Sequence, residues 1–333
     1  MKAVVLAGGS GERFWPLSTR DTPKQFLKLF GNAPLLVETC RRLEQRFEYE
    51  DILVITSFQH VKRTAKALPQ LPLENIIGEP VQKNTAPACA LAALISNPEE
   101  VNLVVPADHH IPEPEGFWRS FDIALKSLET GGGLHTFGIH ATRPETGYGY
   151  IEAGEEISDG VRRVRRFVEK PDLRTAEGFL DAGDFFWNSG MFLWKAGEFL
   201  SELSKCSEDI FKPMSGLDPR DTAQIDRVYP SLPGRSVDHA VMERSKNVKM
   251  VRGGFGWSDV GNWLSLKELE GETRSGEGLV LVDSEDLYIR SEMKRPIGVV
   301  GLSGVIIVDT REGLLVCSQY DVQKVREISK KLK

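Results

Sequence analysis

The sequence has little cysteine. Cys40, Cys89, Cys206 and Cys317 are the only four in 333 residues, and no two stand at Cys-x-x-Cys spacing. All but Cys206 lie in apolar surroundings, so reduced thiols are expected rather than disulfides or zinc ligands. Long hydrophobic runs are also missing. The N-terminal apolar run, Ala3 to Ala7, is too short for the core of a signal peptide. No stretch approaches the roughly 18 apolar residues of a membrane span. Positive charge is not in surplus: the formal net charge is −6 at pH 7. That argues against general nucleic-acid binding, which takes a basic face, and leaves room for a local basic pocket. No low-complexity linker and no regular internal repeat stands out. The expectation is a cytoplasmic chain with no nucleic-acid and no membrane partner. Apolar and charged contents of 41% and 27% are those of a globular protein, and the length allows one large α/β domain plus a smaller one.

What is present begins at the N-terminus. Ala3 to Ala7 is valine-rich and reads as a strand buried on both faces. It stops at Gly8-Gly9-Ser10-Gly11, a backbone that can take positive φ and lie against a bound group. Arg13 and Lys24 follow. Backbone N–H donors with a nearby Arg and Lys suit phosphate oxygens, so a nucleoside triphosphate is the expected ligand. The glycine turn alone reads equally as a tight turn with two solvated cations. It is not a Walker loop, which needs Lys-Ser/Thr after the second glycine. Nor is it a dinucleotide fingerprint, since Phe14 stands where the third glycine belongs and no helix runs through Trp15-Pro16.

Taken whole, Leu6-Ala7-Gly8-Gly9-x-Gly11-x-Arg13-Phe14-Trp15-Pro16-Leu17-Ser18, then Pro23-Lys24-Gln25-Phe26, resembles the signature of the sugar-phosphate nucleotidyltransferases. The Trp-Pro-Leu-Ser and Pro-Lys-Gln-Phe strings are similar to the mannose-1-phosphate guanylyltransferase branch. The resemblance implies that Leu6, Ala7, Gly8, Gly9 and Gly11 surround base and phosphates. It implies that Arg13 and Lys24 contact the triphosphate as catalytic cations.

Strand and helix patterns then alternate. Helical spacing runs from Pro34 to Phe47 and from His60 to Leu68, with strands over Asp51–Thr56, Asn75–Glu79 and Val101–Pro106. This predicts an α/β fold: a Rossmann-like mixed, mostly parallel sheet with helices on both faces. In such sheets ligands bind beyond the carboxyl ends of the strands. At Glu79–Ala88, Asn84 or Thr85 caps a helix with Pro87 in its first turn. The segment also resembles a signature of the mannose branch, with Lys83 where Arg is common, which implies base or ribose contact by Asn84 and Thr85. Asp108 follows the strand ending at Pro106, where a carboxylate suits Mg²⁺, and a turn or cap is the ordinary role of a lone Asp. A zinc site at Asp108-His109-His110 is disfavoured, because adjacent side chains in extended chain point opposite ways. The resemblance to Pro-(Ser/Ala)-Asp-His implies that Asp108 binds catalytic Mg²⁺.

Further along, Glu145–Ile151 holds Gly147 and Gly149 at the start of a strand, suggesting either a bulge or a close backbone approach. Val161–Pro171 carries four arginines and reads as a solvated edge strand. Phe185–Trp194 is an aromatic core strand interrupted by Asn188. These three segments resemble the family's sugar-pocket motifs. The resemblance implies that Gly149 lines the sugar pocket, Glu169 holds sugar hydroxyls, Asn188 contacts the sugar, and Lys170 binds the sugar phosphate. Ser236–Glu243 is similar to a further family motif, which makes Asp238 and Glu243 supporting groups. Trp257-x-Asp259-x-Gly261 resembles the family's second metal aspartate, and only that resemblance pairs Asp259 with Asp108.

Beyond about residue 275, short β-like runs at 278–282, 287–290, 297–301, 305–309 and 314–318 precede a helix over 322–332. The domain expectation is residues 1–268 for catalysis and 275–333 as a small β domain. The family commonly carries a left-handed β-helix-like tail there, which pairs subunits into a homodimer. The implied reaction is GTP plus mannose 1-phosphate giving GDP-mannose and pyrophosphate, with Mg²⁺ as cofactor. The alternatives are the same chemistry with another sugar 1-phosphate or nucleotide, and a non-catalytic sugar-nucleotide sensor, which the presence of both loop cations and both aspartates disfavours. An added isomerase domain, as in bifunctional relatives, is not expected in this length.

Overall fold

Runs that are apolar on both alternating faces need cover on both sides, and they set the sheet of the first half of the chain. The computed structural model describes residues 1–9, 11–271 and 274–332. The chain packs as two compact units, each built from discontinuous segments. The first comprises Met1–Gly8, Thr39–Ala107 and Ile111–Trp257, and the second Gly9–Glu38, Asp108–His110 and Ser258–Lys333.

In chain order the first elements are β1 (Lys2–Ala7), α1 (Leu35–Leu43), β2 (Ile52–Ser57), α2 (Val61–Ala67), β3 (Ile76–Glu79), α3 (Thr85–Ile95), β4 (Val101–Pro106) and α4 (Pro114–Gly131). There follow β5 (Leu134–His140), β6 (Gly149–Ser158), β7 (Val161–Glu169), α5 (Leu173–Ala182), β8 (Phe185–Lys195), α6 (Ala196–Cys206), α7 (Glu208–Met214), α8 (Thr222–Val228) and β9 (Val248–Gly253). The strands form one nine-stranded mixed sheet in the order β3-β2-β1-β4-β8-β5-β9-β7-β6, with β6 also paired to β8. β1 pairs in parallel with β2 and β4, as do β2 with β3 and β5 with β9. β8 runs antiparallel to β4, β5 and β6, and β7 antiparallel to β6 and β9. Helix α3 is apolar all round and therefore buried, in one core with Trp194, Phe199, Tyr229 and Val241.

One expectation is corrected. The arginine-rich strand β7 is not at an edge, since it pairs with β6 along its length and with β9 at Val161–Arg163. Its charge marks a solvated face. Arg163 reaches Glu155 at 2.9 Å and Arg166 reaches Glu152 at 3.0 Å. Strand β9 has no counterpart among the sequence expectations. Val248–Gly253 is short and mixed in composition, and its pairing with β5 and β7 holds it.

The second unit continues with α9 (Trp263–Glu270), β10 (Arg274–Ser275), β11 (Leu279–Val282), β12 (Tyr288–Ser291), β13 (Ile297–Val300), β14 (Val305–Asp309), β15 (Leu314–Ser318) and α10 (Val325–Lys331). Next-but-one strands stack in parallel: β10 on β12, β12 on β14, and β11 on β13. Leu279 faces Ile297, Glu285 faces Ser303 and Tyr288 faces Ile306, the same interval in each case. That is the register of a coil wound on itself, a β-helix-like arrangement. Its corners repeat too. Asp283 and Asp286 are left-handed with φ 47° and 54°, and their counterparts one coil later are Gly301 and Gly304 at 66° and 64°. The N-terminal segment is anchored on this unit. Phe14, Leu27, Leu29 and Leu35 share a core with Val260, Trp263, Tyr288, Ile306, Val322 and Val325. Trp263 donates from its indole to the Trp15 carbonyl at 3.0 Å and meets the Phe14 ring edge-on.

The two aspartate corners give a paired test. Asp283 is exposed, so Asp283→Gly removes only the left-handed penalty and should stabilise by up to about 1 kcal/mol. Asp286 accepts from the buried Lys267 ammonium at 2.5 Å and from Gln319 at 2.8 Å. Asp286→Gly should therefore destabilise by about 2 kcal/mol despite the same backbone relief. Urea denaturation reads both, and equal effects would refute the assignment.

Candidate active site

Lys24 stands at the centre of the site. It opens the tight turn Lys24–Phe26 and is only 6% exposed. Its ammonium donates to the Asp108 carboxylate at 2.8 Å and to the Asp259 backbone carbonyl at 2.5 Å. The glycine loop presses against it. Gly11 is left-handed at φ 62°, and a Cβ there would lie 2.4 Å from the Lys24 Cβ and 2.7 Å from its backbone nitrogen. Only glycine fits on both counts. The Gly11 carbonyl accepts from the Ser18 hydroxyl at 2.6 Å and the Phe14 amide at 3.0 Å, which pins the loop.

The two aspartates come together through an extended pairing. His110 and Ser258 exchange backbone hydrogen bonds at 2.9 and 3.1 Å. This sets the chain after Asp108 beside the chain before Asp259. The next residue, Val260, is buried and held at φ 46°, a true outlier for a β-branched side chain. Its amide donates to the Ser258 hydroxyl at 3.0 Å. A Cβ at Gly261 would lie 2.8 Å from the Asp259 carboxylate. His109 lines the same cavity, while His110 turns away and stacks on Phe30. Burial pushes the Asp108 carboxyl up, but the charges of Lys24 and His109 and the Lys24 hydrogen bond outweigh it, so its pKa falls below the usual carboxylate range.

Gly11, Arg13, Lys24, Asp108 and Asp259 line one cavity of about 350 Å³, with Glu12 and Gly261. Arg326 and Lys330 of α10 complete its wall. Sequence reasoning missed both, because two basic residues in a terminal helix carry no motif. The hard donors on this wall are the carboxylates of Glu12, Asp108 and Asp259, with the His109 ring beside them, and no group of three or more His, Cys, Asp or Glu able to hold a metal lies among the described residues. Such a set fits Mg²⁺, which takes one or two carboxylates and completes its shell with water and phosphate oxygens.

The expected sugar residues converge within the first unit. Gly149 faces Glu169 across β6 and β7. A Cβ on Gly149 would lie 2.5 Å from the Glu169 carboxylate and 3.4 Å from Asn188. Glu169 pairs with Lys170, whose backbone is left-handed at φ 48°. The Asn188 amide oxygen accepts from the Thr136 hydroxyl and the Gly190 amide, and its nitrogen donates to Asp238 at 3.0 Å. That uses one of the two amide N–H donors of Asn188. Burial and the Glu169 charge raise the Asp238 carboxyl to about 6. Glu243 pairs with His239 at 3.0 Å.

The remaining expected nucleotide contacts have structural bonds of their own. Asn84 caps α3 by accepting from the Thr85 amide, and the Thr85 hydroxyl accepts from the Val237 amide at 2.8 Å. In and after β1, the carbonyls of Leu6, Ala7 and Gly8 accept from the Ala107 amide, the Thr56 hydroxyl and the Gln82 amide nitrogen. Gly9 is exposed.

Residues 2–275 match the family model for nucleotidyl transferases, and residues 277–332 match that of the MannoseP isomerase/GMP-like β-helix domain. The chain belongs to the nucleotidyl transferase family, in its mannose-1-phosphate guanylyltransferase branch. It is 41% identical to a mannose-1-phosphate guanylyltransferase of Escherichia coli K12, over 99% of this chain and 73% of that one. With the mannose-1-phosphate guanylyltransferase ManC of Salmonella typhimurium LT2 the identity is 40%, over 99% and 72%. A Thermus thermophilus crystal structure described as a mannose-1-phosphate geranyltransferase superposes with a TM-score of 0.88 at 30% identity, over 99% of this chain and 98% of that one. The mixed sheet and the coiled C-terminal strands are thus those of a nucleotidyltransferase catalytic fold followed by a β-helix-like domain.

In this nucleotidyltransferase one further group, beside Gly8, escaped the sequence reading. The Glu79 carboxyl lies where a Gly8 side chain would meet it at 3.2 Å, and it accepts from the Tyr229 hydroxyl at 2.6 Å. Burial raises its pKa from the ordinary 4.5 to about 7, against the lowering effect of Tyr229. The raised value means the folded chain keeps a proton that the unfolded chain loses. The associated stability is full below pH 4.5 and is lost as pH rises through 7. Glu79→Gln should therefore gain about 2 to 3 kcal/mol relative to the parent between pH 5 and pH 8. Urea denaturation at both pH values tests this, and a pH-independent difference would exclude it.

Proposed function

We propose that this chain transfers GMP from GTP to mannose 1-phosphate, releasing GDP-mannose and pyrophosphate. The observation that carries this reading is the Lys24 ammonium bound to both aspartate segments inside a cavity that also holds Arg13 and the glycine loop. The near-full-length relatedness to mannose-1-phosphate guanylyltransferases supports it. An oxygen of the sugar phosphate attacks the α-phosphorus, the bond from that phosphorus to the β-bridging oxygen breaks, and pyrophosphate carries away the charge. Such a transfer depends on positioning and charge neutralisation rather than on a protein nucleophile. Arg13 and Lys24 hold the triphosphate and stabilise charge on the departing pyrophosphate. Backbone at Leu6, Ala7, Gly8, Gly9 and Gly11, with Asn84 and Thr85, receives base, ribose and phosphates. Gly149, Glu169 and Asn188 orient the sugar, and Lys170 offsets repulsion between two anionic substrates. Mg²⁺ held by Asp108 and Asp259 supplies charge neutralisation on the phosphates when bound.

Residues 1–268 are read as the catalytic domain and 275–333 as a small β-helix-like domain. Val280, Val282 and Val300 lie on its β11–β13 face and are 60%, 46% and 67% exposed, an apolar patch that suits pairing in a homodimer. No helix among the described residues is long and apolar enough to cross a membrane, in keeping with a cytoplasmic location.

A pyrophosphate-release assay across four nucleoside triphosphates, with mannose 1-phosphate and glucose 1-phosphate, tests the reading. GTP with mannose 1-phosphate should give the highest kcat/KM, and preference for any other pair would overturn the assignment. In the same assay Lys24→Ala should lower turnover by about two to three orders of magnitude, the usual loss for one transition-state donor. Parent-like turnover would remove Lys24 from the mechanism. Asp259→Asn should shift the Mg²⁺ titration of activity to much higher concentrations, and an unchanged titration would dismiss the two-aspartate site.

A further inference from the structure

Two cations on the wall of the Lys24 cavity come from the far end of the chain. Arg326 and Lys330 lie one turn apart on α10. Packing explains their position. Val322 and Val325 are buried in the core that holds Phe14, and Ser329 is buried one turn beyond Val325. With a period of 3.6, Val325 and Ser329 make one stripe of the helix, and Arg326 and Lys330 make the neighbouring stripe. Seating the first stripe against Phe14 brings the second onto the wall beside Gly11 and Arg13.

Charge sharpens the point. Glu12, Asp108 and Asp259 put three carboxylates on this wall, so Arg13 and Lys24 alone leave it net negative. Arg326 and Lys330 reverse the balance. Lys24 is already committed to Asp108 and to the Asp259 carbonyl. By contrast, the side chains of Arg326 and Lys330 make no hydrogen bond or ion pair among the described residues. A guanidinium fork and a mobile ammonium one turn apart are well matched to adjacent phosphoryl groups.

We propose that Arg326 and Lys330 bind the terminal phosphates of the nucleotide and the pyrophosphate released from it, so that the C-terminal helix is part of the polyphosphate site. This rests on the guanylyltransferase reading above. The α-phosphate has to stay open to the attacking oxygen, whereas the β- and γ-phosphates can be gripped from outside. Contacts to the leaving portion strengthen binding of triphosphate and pyrophosphate and leave monophosphate binding alone.

The test uses the full chain with the exposed residues exchanged in R326Q/K330Q, and titration calorimetry with GTP, pyrophosphate and GMP at fixed salt and Mg²⁺. GTP and pyrophosphate affinities should fall about tenfold or more, with GMP affinity held within about twofold. The KM for mannose 1-phosphate should not move, and R326K/K330R should restore most of the loss. K331Q, a charge change on the same helix that does not line the cavity, should bind like the parent. The proposal is overturned by GTP and pyrophosphate affinities within about twofold of the parent, by an equal loss for GMP, or by an equal loss in K331Q. A parent chain that fails to bind GTP, or that releases no pyrophosphate with any sugar phosphate, overturns the guanylyltransferase reading instead.

Discussion

The second unit depends on one buried ammonium. Lys24 sits where the glycine loop, the Asp108 segment and the turn before α9 meet, and it bonds to a carboxylate from one and a carbonyl from another. A charge this buried gains little net stability from its ion pair, because desolvation offsets the Coulomb attraction. What it gains is placement. Movement of the Asp108 segment would leave the buried ammonium with no counter-charge, at a cost of several kcal/mol, and movement of the Asp259 segment would take away its carbonyl acceptor. The strain at Val260 and the left-handed Gly11 are tolerated around this point because the surrounding core over-determines them.

The first unit solves a different problem. Its sheet begins with the parallel strands expected of a nucleotide-binding fold and continues with antiparallel strands β8, β7 and β6. Those strands carry Gly149, Glu169 and Asn188 to within a few ångströms of one another. Gly149 is needed because Glu169 occupies the space a side chain would take. Asn188 is oriented by Thr136, Gly190 and Asp238, which leaves its remaining donor in a defined direction. Both units therefore use the same device, a glycine that makes room for a charged side chain and polar neighbours that fix the groups beside it.

Local patterns were legible where the chemistry is local. The valine-rich strands, the Asn84 cap and the C-terminal strands all follow from short-range periodicity and turn chemistry, and they form close to the expected positions. The edge reading of the arginine strand did not hold, because charge on one face says nothing about which hydrogen-bonding edges are covered. The coil repeat was equally hidden. Its corners alternate between Asp and Gly, which differ as letters and share one backbone conformation.

By itself the sequence determined most of the elements, the family and most of the candidate residues for phosphate, sugar and metal, since each of these is written in motifs of a few adjacent letters. Only the tertiary structure decided which of those residues meet. Asp108 and Asp259 are joined by a backbone bridge between His110 and Ser258. Arg326 and Lys330 reach the cavity because Val325 is buried with Phe14. Contacts between residues hundreds of positions apart are set by which apolar faces pack together, and packing is a property of the folded surfaces rather than of any local stretch of chain.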